Sequence, residues 1–168
     1  MKLVNSIFIR RPAAAVWAFI EKPENLLRWN PKVKRVLPPH LSKPRQGYRY
    51  AISYQMSNKA VVSNFQAEFV IYQPPAKLLI RHTEGSARAS DRVIDEIYEL
   101  KEMDGGCLLK QTIHVKNSGI NIFLRLLLWL VQTLGKPTGK PYLADLRDIL
   151  EGDVTEPVAA AHNSDQEA

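Results

Sequence analysis

The sequence predicts a single α+β domain in which a run of antiparallel strands precedes a long C-terminal helix. Three observations predict it. Hydrophobic residues alternate with period two from Tyr48 to Val115, broken by turn residues; the period becomes helical at Ile120; and two proline-punctuated helical pieces follow the first strand. The chain has 168 residues, of which 45% are hydrophobic and 24% charged, proportions that suit one core and exclude a disordered or fibrous polypeptide. The domain is expected to span residues 1–152, with 153–168 as a tail that has little to bury.

Strand one is expected over Leu3 to Arg10. Pro12 then occupies a position where a first helical turn tolerates a missing N–H, and Ala13 to Ile20 places Val16, Trp17 and Ile20 at core spacing. A second helical piece, Pro23 to Trp29, stops at Asn30-Pro31, because the residue before proline avoids helical geometry. Val33 to Leu37 is a short strand. In the next, Tyr48, Tyr50, Ile52, Tyr54 and Met56 share a face, and in Val61 to Tyr72 so do Phe65, Ala67, Phe69 and Ile71. Leu78 to Thr83 and Arg92 to Leu100 are further strands, and Asp104-Gly105-Gly106 turns the chain into Cys107 to Lys116. After Asn117-Ser118-Gly119, the residues Ile120, Phe123, Leu124, Leu127, Val131 and Leu134 form a helical stripe. A last helix runs from Pro141 through Leu143, Leu146 and Leu150 to Gly152.

This order, and the residues Pro12-Ala13-Ala14-Ala15-Val16-Trp17-Ala18-Phe19-Ile20, Pro23-Glu24-Asn25 and Arg28-Trp29-Asn30-Pro31, resemble the START-like superfamily. The likeness is to its polyketide cyclase/dehydrase and lipid-transport branch, the SRPBCC proteins. Pro74-Pro75-Ala76-Lys77-Leu78, Tyr98-Glu99-Leu100 and the Gly105-Gly106 turn are similar too, although Cys107 stands where many members have Thr. The resemblance covers nearly the whole ordered chain. It implies a helix-grip fold, a curved antiparallel sheet wrapped around the long C-terminal helix with an apolar cavity between them. Such a fold hosts binders, transporters and enzymes alike.

The residues suit a cavity. Tyr48, Tyr50, Tyr54, Phe65 and Phe69 opposite Phe123 and Leu127 would make apolar walls bearing a few hydroxyls. An empty cavity of ~300 Å³, at ~24 cal/mol per Å³, would cost about 7 kcal/mol, comparable with the stability of a whole domain, so an occupant is favoured. Gln111 and the tyrosines Tyr48, Tyr50 and Tyr54 are candidates to orient the polar end of a ligand, Tyr98 is a further ligand-binding candidate, His82 could serve as a pocket hydrogen-bonding group, and His82 or Arg81 could polarise a carbonyl if the protein is a catalyst. Against these stand ordinary readings: His82 as a strand-end histidine, and Arg81, with Arg88 and Arg92, in solvated cross-strand pairs near Asp91 and Asp95. The residues leave open which face of Leu78 to Thr83 lines the cavity. His40 and His114 read as solvent-facing.

The reading that follows is a carrier or sensor for a hydrophobic small molecule, lipid-like or aromatic. The alternatives are a polyketide cyclase, aromatase or dehydrase, and a protein that docks on a membrane or partner through Ile122, Leu126 and Trp129. A homodimer and a peripheral membrane contact stay open. The histidines at 40, 82, 114 and 162 lack ligand spacing, so no metal is expected, and no cofactor is implied. A net charge of +6 favours anionic contacts, yet Lys32, Lys34, Arg35, Lys43 and Arg45 belong to no nucleic-acid motif. Gly135 to Pro141 fails as a phosphate loop on spacing and on its place after a helix. The lone Cys107 fits a reducing cytoplasm, and the N-terminal apolar run, interrupted by Asn5 and Ser6, is too short for a secretory signal.

Overall fold

The computed structural model describes residues 2–38, 43–55, 61–84, 93–116 and 142–152. Seven strands, β1 (Lys2–Ile9), β2 (Val33–Leu37), β3 (Arg49–Tyr54), β4 (Ser63–Gln73), β5 (Lys77–Glu84), β6 (Val93–Met103) and β7 (Gly106–Lys116), form one sheet in the order β1-β7-β6-β5-β4-β3-β2. Every pairing is antiparallel, so the meander from β2 to β7 is completed by β1 adding beside β7. Helix α1 (Ala13–Ile20), a 3₁₀ turn (Pro23–Asn25) and α2 (Leu26–Trp29) connect β1 to β2, and α3 (Ala144–Gly152) follows later. The expected α+β order therefore holds over these residues. The long helix expected from Ile120 onward, with Phe123, Leu127 and the Trp129 stripe, lies outside the described residues, as do the 153–168 tail and His40.

Period-two patterning decides which face is covered. Ile9, Tyr50, Ile52, Phe65, Ala67, Phe69, Leu78, Ile80, Tyr98, Leu100, Cys107 and Leu109 are all buried on the inner face, while their chain neighbours Arg49, Asn64, Gln66 and Lys101 are exposed. The sheet is curved, with register shifts between Val33 and Arg35 and between Phe69 and Ile71. The second shift corrects one expectation. Ile71 does not share the face of Phe65 and Phe69; the extra residue hands that place to Tyr72, which pairs with Leu78 and stacks on Phe69 at 6.1 Å.

The helices close one end of the inner face. Ala13, Val16, Trp17, Phe19 and Ile20 are buried from α1, and the Glu102 carboxylate of β6 accepts from the Ala13 amide at 2.9 Å, serving as the N-terminal partner that Pro12 cannot supply. Glu21 accepts from both the Trp17 indole at 2.7 Å and the Tyr72 hydroxyl at 2.6 Å, tying α1 to β4. Helix α3 buries Leu146 and Leu150, together with the preceding Leu143, and its Glu151 accepts from the Arg10 amide at 2.8 Å. Among the described residues no helix is long and apolar enough to cross a membrane.

Two glycines make the β6–β7 hairpin for different reasons. Gly105 has φ +74°, a conformation that strains any residue with a β-carbon, while a β-carbon on Gly106 would overlap the Ile9 carbonyl oxygen. Urea unfolding should therefore show Gly106→Ala destabilised by more than about 2 kcal/mol and Gly105→Ala by about 1 to 2 kcal/mol. Equal and negligible losses would contradict the close packing of β1 on this hairpin.

Candidate functional site

Alternation along β6 places Ile94, Glu96, Tyr98 and Leu100 on the inner face, and Asp95, Ile97 and Glu99 on the outer. Glu96 is thus a carboxylate 6% exposed in the middle of an apolar surface. Taking such a charge out of water costs several kcal/mol unless donors meet it. They do. Glu96 Oε1 accepts from the Tyr98 hydroxyl at 2.5 Å and from Gln111 Nε2 at 2.6 Å, and Oε2 lies 3.2 Å from His82 Nε2. Gln111 Nε2 also reaches the Tyr98 oxygen at 3.3 Å, and its own Oε1 accepts from Asn5 Nδ2 at 3.2 Å. One polar chain thereby crosses β5, β6, β7 and β1.

Burial pushes the Glu96 carboxyl upward, but the hydrogen bond and attraction of His82, with the donors of Tyr98 and Gln111, outweigh it and hold the group below its ordinary range. An ionised carboxylate only accepts, so His82 Nε2 carries the hydrogen facing it. Around this charge stand four phenols. Tyr50, Tyr54 and Tyr98 are pushed well above their usual range by burial and then by the Glu96 charge, and Tyr142 is raised for the same reasons. All keep their protons at neutral pH. The Tyr54 ring meets His82 edge-on at 5.9 Å and Phe65 at 5.8 Å, and Tyr50 meets Phe69 edge-on at 6.0 Å. Tyr142 packs on Trp29 and accepts from Asn30 Nδ2 at 2.9 Å.

Among the described residues, two polar atoms within this face have no partner: His82 Nδ1 and the Tyr50 hydroxyl, both buried. Such atoms are costly, about 1 to 3 kcal/mol each, and each calls for an explanation. A recess of about 10 Å³ bounded by Phe19, Leu26, Trp29, Ile80 and Tyr98 has room for about one water and is too small to be a ligand site itself.

Of the residues singled out from the sequence, Tyr50, Tyr54, Phe65, Phe69, His82, Tyr98 and Gln111 come together on the inner face, and Tyr48 sits at its rim, stacked on Tyr50 at 6.5 Å. The open choice of face on β5 resolves in favour of His82 facing inward with Leu78 and Ile80. Arg81 lies on the opposite face, where Asp95 accepts from its Nε at 2.7 Å and its Nη2 at 3.2 Å, and Lys116 joins Asp95 at 3.0 Å. It therefore cannot work beside His82. His114 is half-buried on that outer face, not fully solvent-facing as expected. Phe123 and Leu127 lie outside the described residues. Sequence reasoning missed Glu96, Asn5, Asn30 and Tyr142. Glu96 had a readable signal, an acidic residue in step with Ile94, Tyr98 and Leu100; Asn5 likewise keeps step with Leu3, Ile7 and Ile9. The Asn30–Tyr142 bond joins residues 112 apart and had none.

A curved antiparallel sheet whose concave face carries aromatic rings and a buried polar chain defines the architectural class. The chain belongs to the polyketide cyclase / dehydrase and lipid transport family, whose model matches residues 1–137. It is similar in fold to a Chromobacterium violaceum protein of known structure (14% identity, TM-score 0.62, covering 89% of this chain and 97% of that one). It is also similar to a Nitrosomonas europaea protein (16%, 0.62, 92% and 96%) and a Mesorhizobium loti protein (19%, 0.59, 94% and 100%). These likenesses establish the fold alone. No curated protein matches the chain.

Because Glu96 titrates below its ordinary range in the folded state, it adds stability above the unfolded value of about 4.5 that is lost as pH falls through the lower folded value. Glu96→Gln should lower stability at pH 7 by about 2 to 3 kcal/mol and shrink the loss between pH 5 and pH 3. Chemical denaturation across that range checks it; an acid limb as steep as the wild type would refute the assignment.

Proposed function

We propose that the protein binds a hydrophobic small molecule, lipid-like or aromatic, between the concave sheet face and the segment 120–134. One observation carries this reading: the inner face combines a wall of aromatic rings with two buried, unpartnered polar atoms, His82 Nδ1 and the Tyr50 hydroxyl. Apolar walls with a few convergent polar groups are the make-up of small-molecule sites, and membership of a family that includes lipid transport supports it. Tyr48, Tyr54, Phe65, Phe69, Phe123 and Leu127 would enclose the apolar part of the ligand, with Tyr98 and Gln111 holding the polar chain behind His82.

The test is direct. Organic extraction of the purified protein followed by mass spectrometry should recover a bound compound, and the neutral probe N-phenyl-1-naphthylamine should gain fluorescence and raise the melting temperature. A protein that carries nothing and leaves the probe dark would overturn the reading.

A second reading, as a cyclase, aromatase or dehydrase, is favoured by the way Glu96 fixes His82 Nε2–H and leaves Nδ1 without a partner near protonated tyrosines. Closure of a linear poly-β-ketone thioester by the wild type, lost in His82→Phe, would support it. Equal rates in the two proteins would exclude His82 from any such chemistry.

A further inference from the structure

The two unpartnered atoms are not scattered. His82 on β5 and Tyr50 on β3 both pair, in register, with the same residue of the strand between them, Ala67. Adjacent strands are ~4.8 Å apart, so the backbones of the two residues lie roughly 10 Å apart with the Ala67 methyl between them. Ala67 is 1% exposed, His82 1% and Tyr50 2%, so the whole row is buried, and both orphaned polar atoms belong to it. The chemistry of each is defined. In its neutral form, with Nε2–H committed to Glu96, the His82 ring presents a lone pair at Nδ1, and the Tyr50 hydroxyl both donates and accepts. The charged neighbour is the Glu96 carboxylate, and among the described residues no lysine or arginine is buried. An anionic head placed here would face an acid with no buried guanidinium or ammonium among the described residues to neutralise it.

We propose that the His82–Ala67–Tyr50 row is a head-group subsite that selects a neutral ligand bearing an O–H donor, an alcohol or a phenol, over the same skeleton without it and over its carboxylate. The inference rests on the cavity reading above and adds the chemistry of the ligand's polar end. The ligand hydroxyl donates to His82 Nδ1 and accepts from Tyr50, giving both orphaned atoms a partner and itself two bonds. Ala67 is small so that the head can reach the sheet.

The test compares three probes of one skeleton, 2-naphthol, naphthalene and 2-naphthoate, by displacement of N-phenyl-1-naphthylamine at pH 8. 2-Naphthol should bind about tenfold tighter than naphthalene, and 2-naphthoate no tighter than naphthalene. Tyr50→Phe, which removes only the oxygen and keeps the Glu96 cluster whole, should cut the hydroxyl preference, read as the ratio of 2-naphthol to naphthalene affinity within the variant, to within about twofold, and His82→Phe should lower the same ratio as far. Ala67→Leu should exclude 2-naphthol more than naphthalene. Equal binding of 2-naphthol and naphthalene by the wild type, a tighter naphthoate, or a preference surviving both phenylalanine variants would overturn the subsite and leave the cavity standing. If none of the three displaces the bound probe, the subsite falls while the cavity, which the probe itself reports, stands; a probe that stays dark removes both.

Discussion

A carboxylate withdrawn from water onto the concave face of a sheet has to be met by hydrogen-bond donors from several strands at once, and Glu96 imposes that condition here. Tyr98 comes from its own strand, Gln111 and His82 from the strands on either side, and Asn5 orients Gln111 from one strand further. Removing any donor leaves an uncompensated charge, which costs more than the bond alone. The arrangement also fixes register. A slip of one residue on β5 or β7 would put His82 or Gln111 on the outer face and present Arg81, Lys110 or Thr112 in their place.

The rest of the inner face is shaped around that requirement. The β4 shift at Phe69 brings Tyr72 inward to stack on Phe69 and bond to Glu21, which holds α1 against the far end of the strands. With α1, α2 and α3 filling that end, the aromatic rings of β3 and β4 are left for the middle of the curve. Outside, Asp95 does for the convex surface what Glu96 does for the concave one, but with Arg81 and Lys116 half in solvent, where ion pairs contribute little. Two acidic neighbours in sequence thus have opposite roles because β-strands alternate.

Much of the fold was legible because it rests on periodicities. Val33–Leu37 and Ala13–Ile20 emerged with the expected bounds, and the tyrosine and phenylalanine faces of β3 and β4 were identifiable by counting in twos. The bulge was not, since an inserted residue at Phe69 leaves no mark that distinguishes Ile71 from Tyr72 as the inward residue. The candidate site was legible in its apolar members and in His82, Tyr98 and Gln111. Its organising group, Glu96, was passed over because an acidic residue in a strand is ordinarily solvated, although its parity with Ile94 and Tyr98 placed it inside.

From the sequence alone came the α+β class, the strand order along the chain, the aromatic side of the sheet and the family resemblance, all of which follow from local patterning. Only the tertiary structure decided that His82 turns inward while Arg81 turns out, that one carboxylate gathers side chains from four strands, and that Ala67 separates two polar atoms without partners. Those are matters of register between strands distant in sequence, and pairing across a sheet is settled by which groups can be buried together.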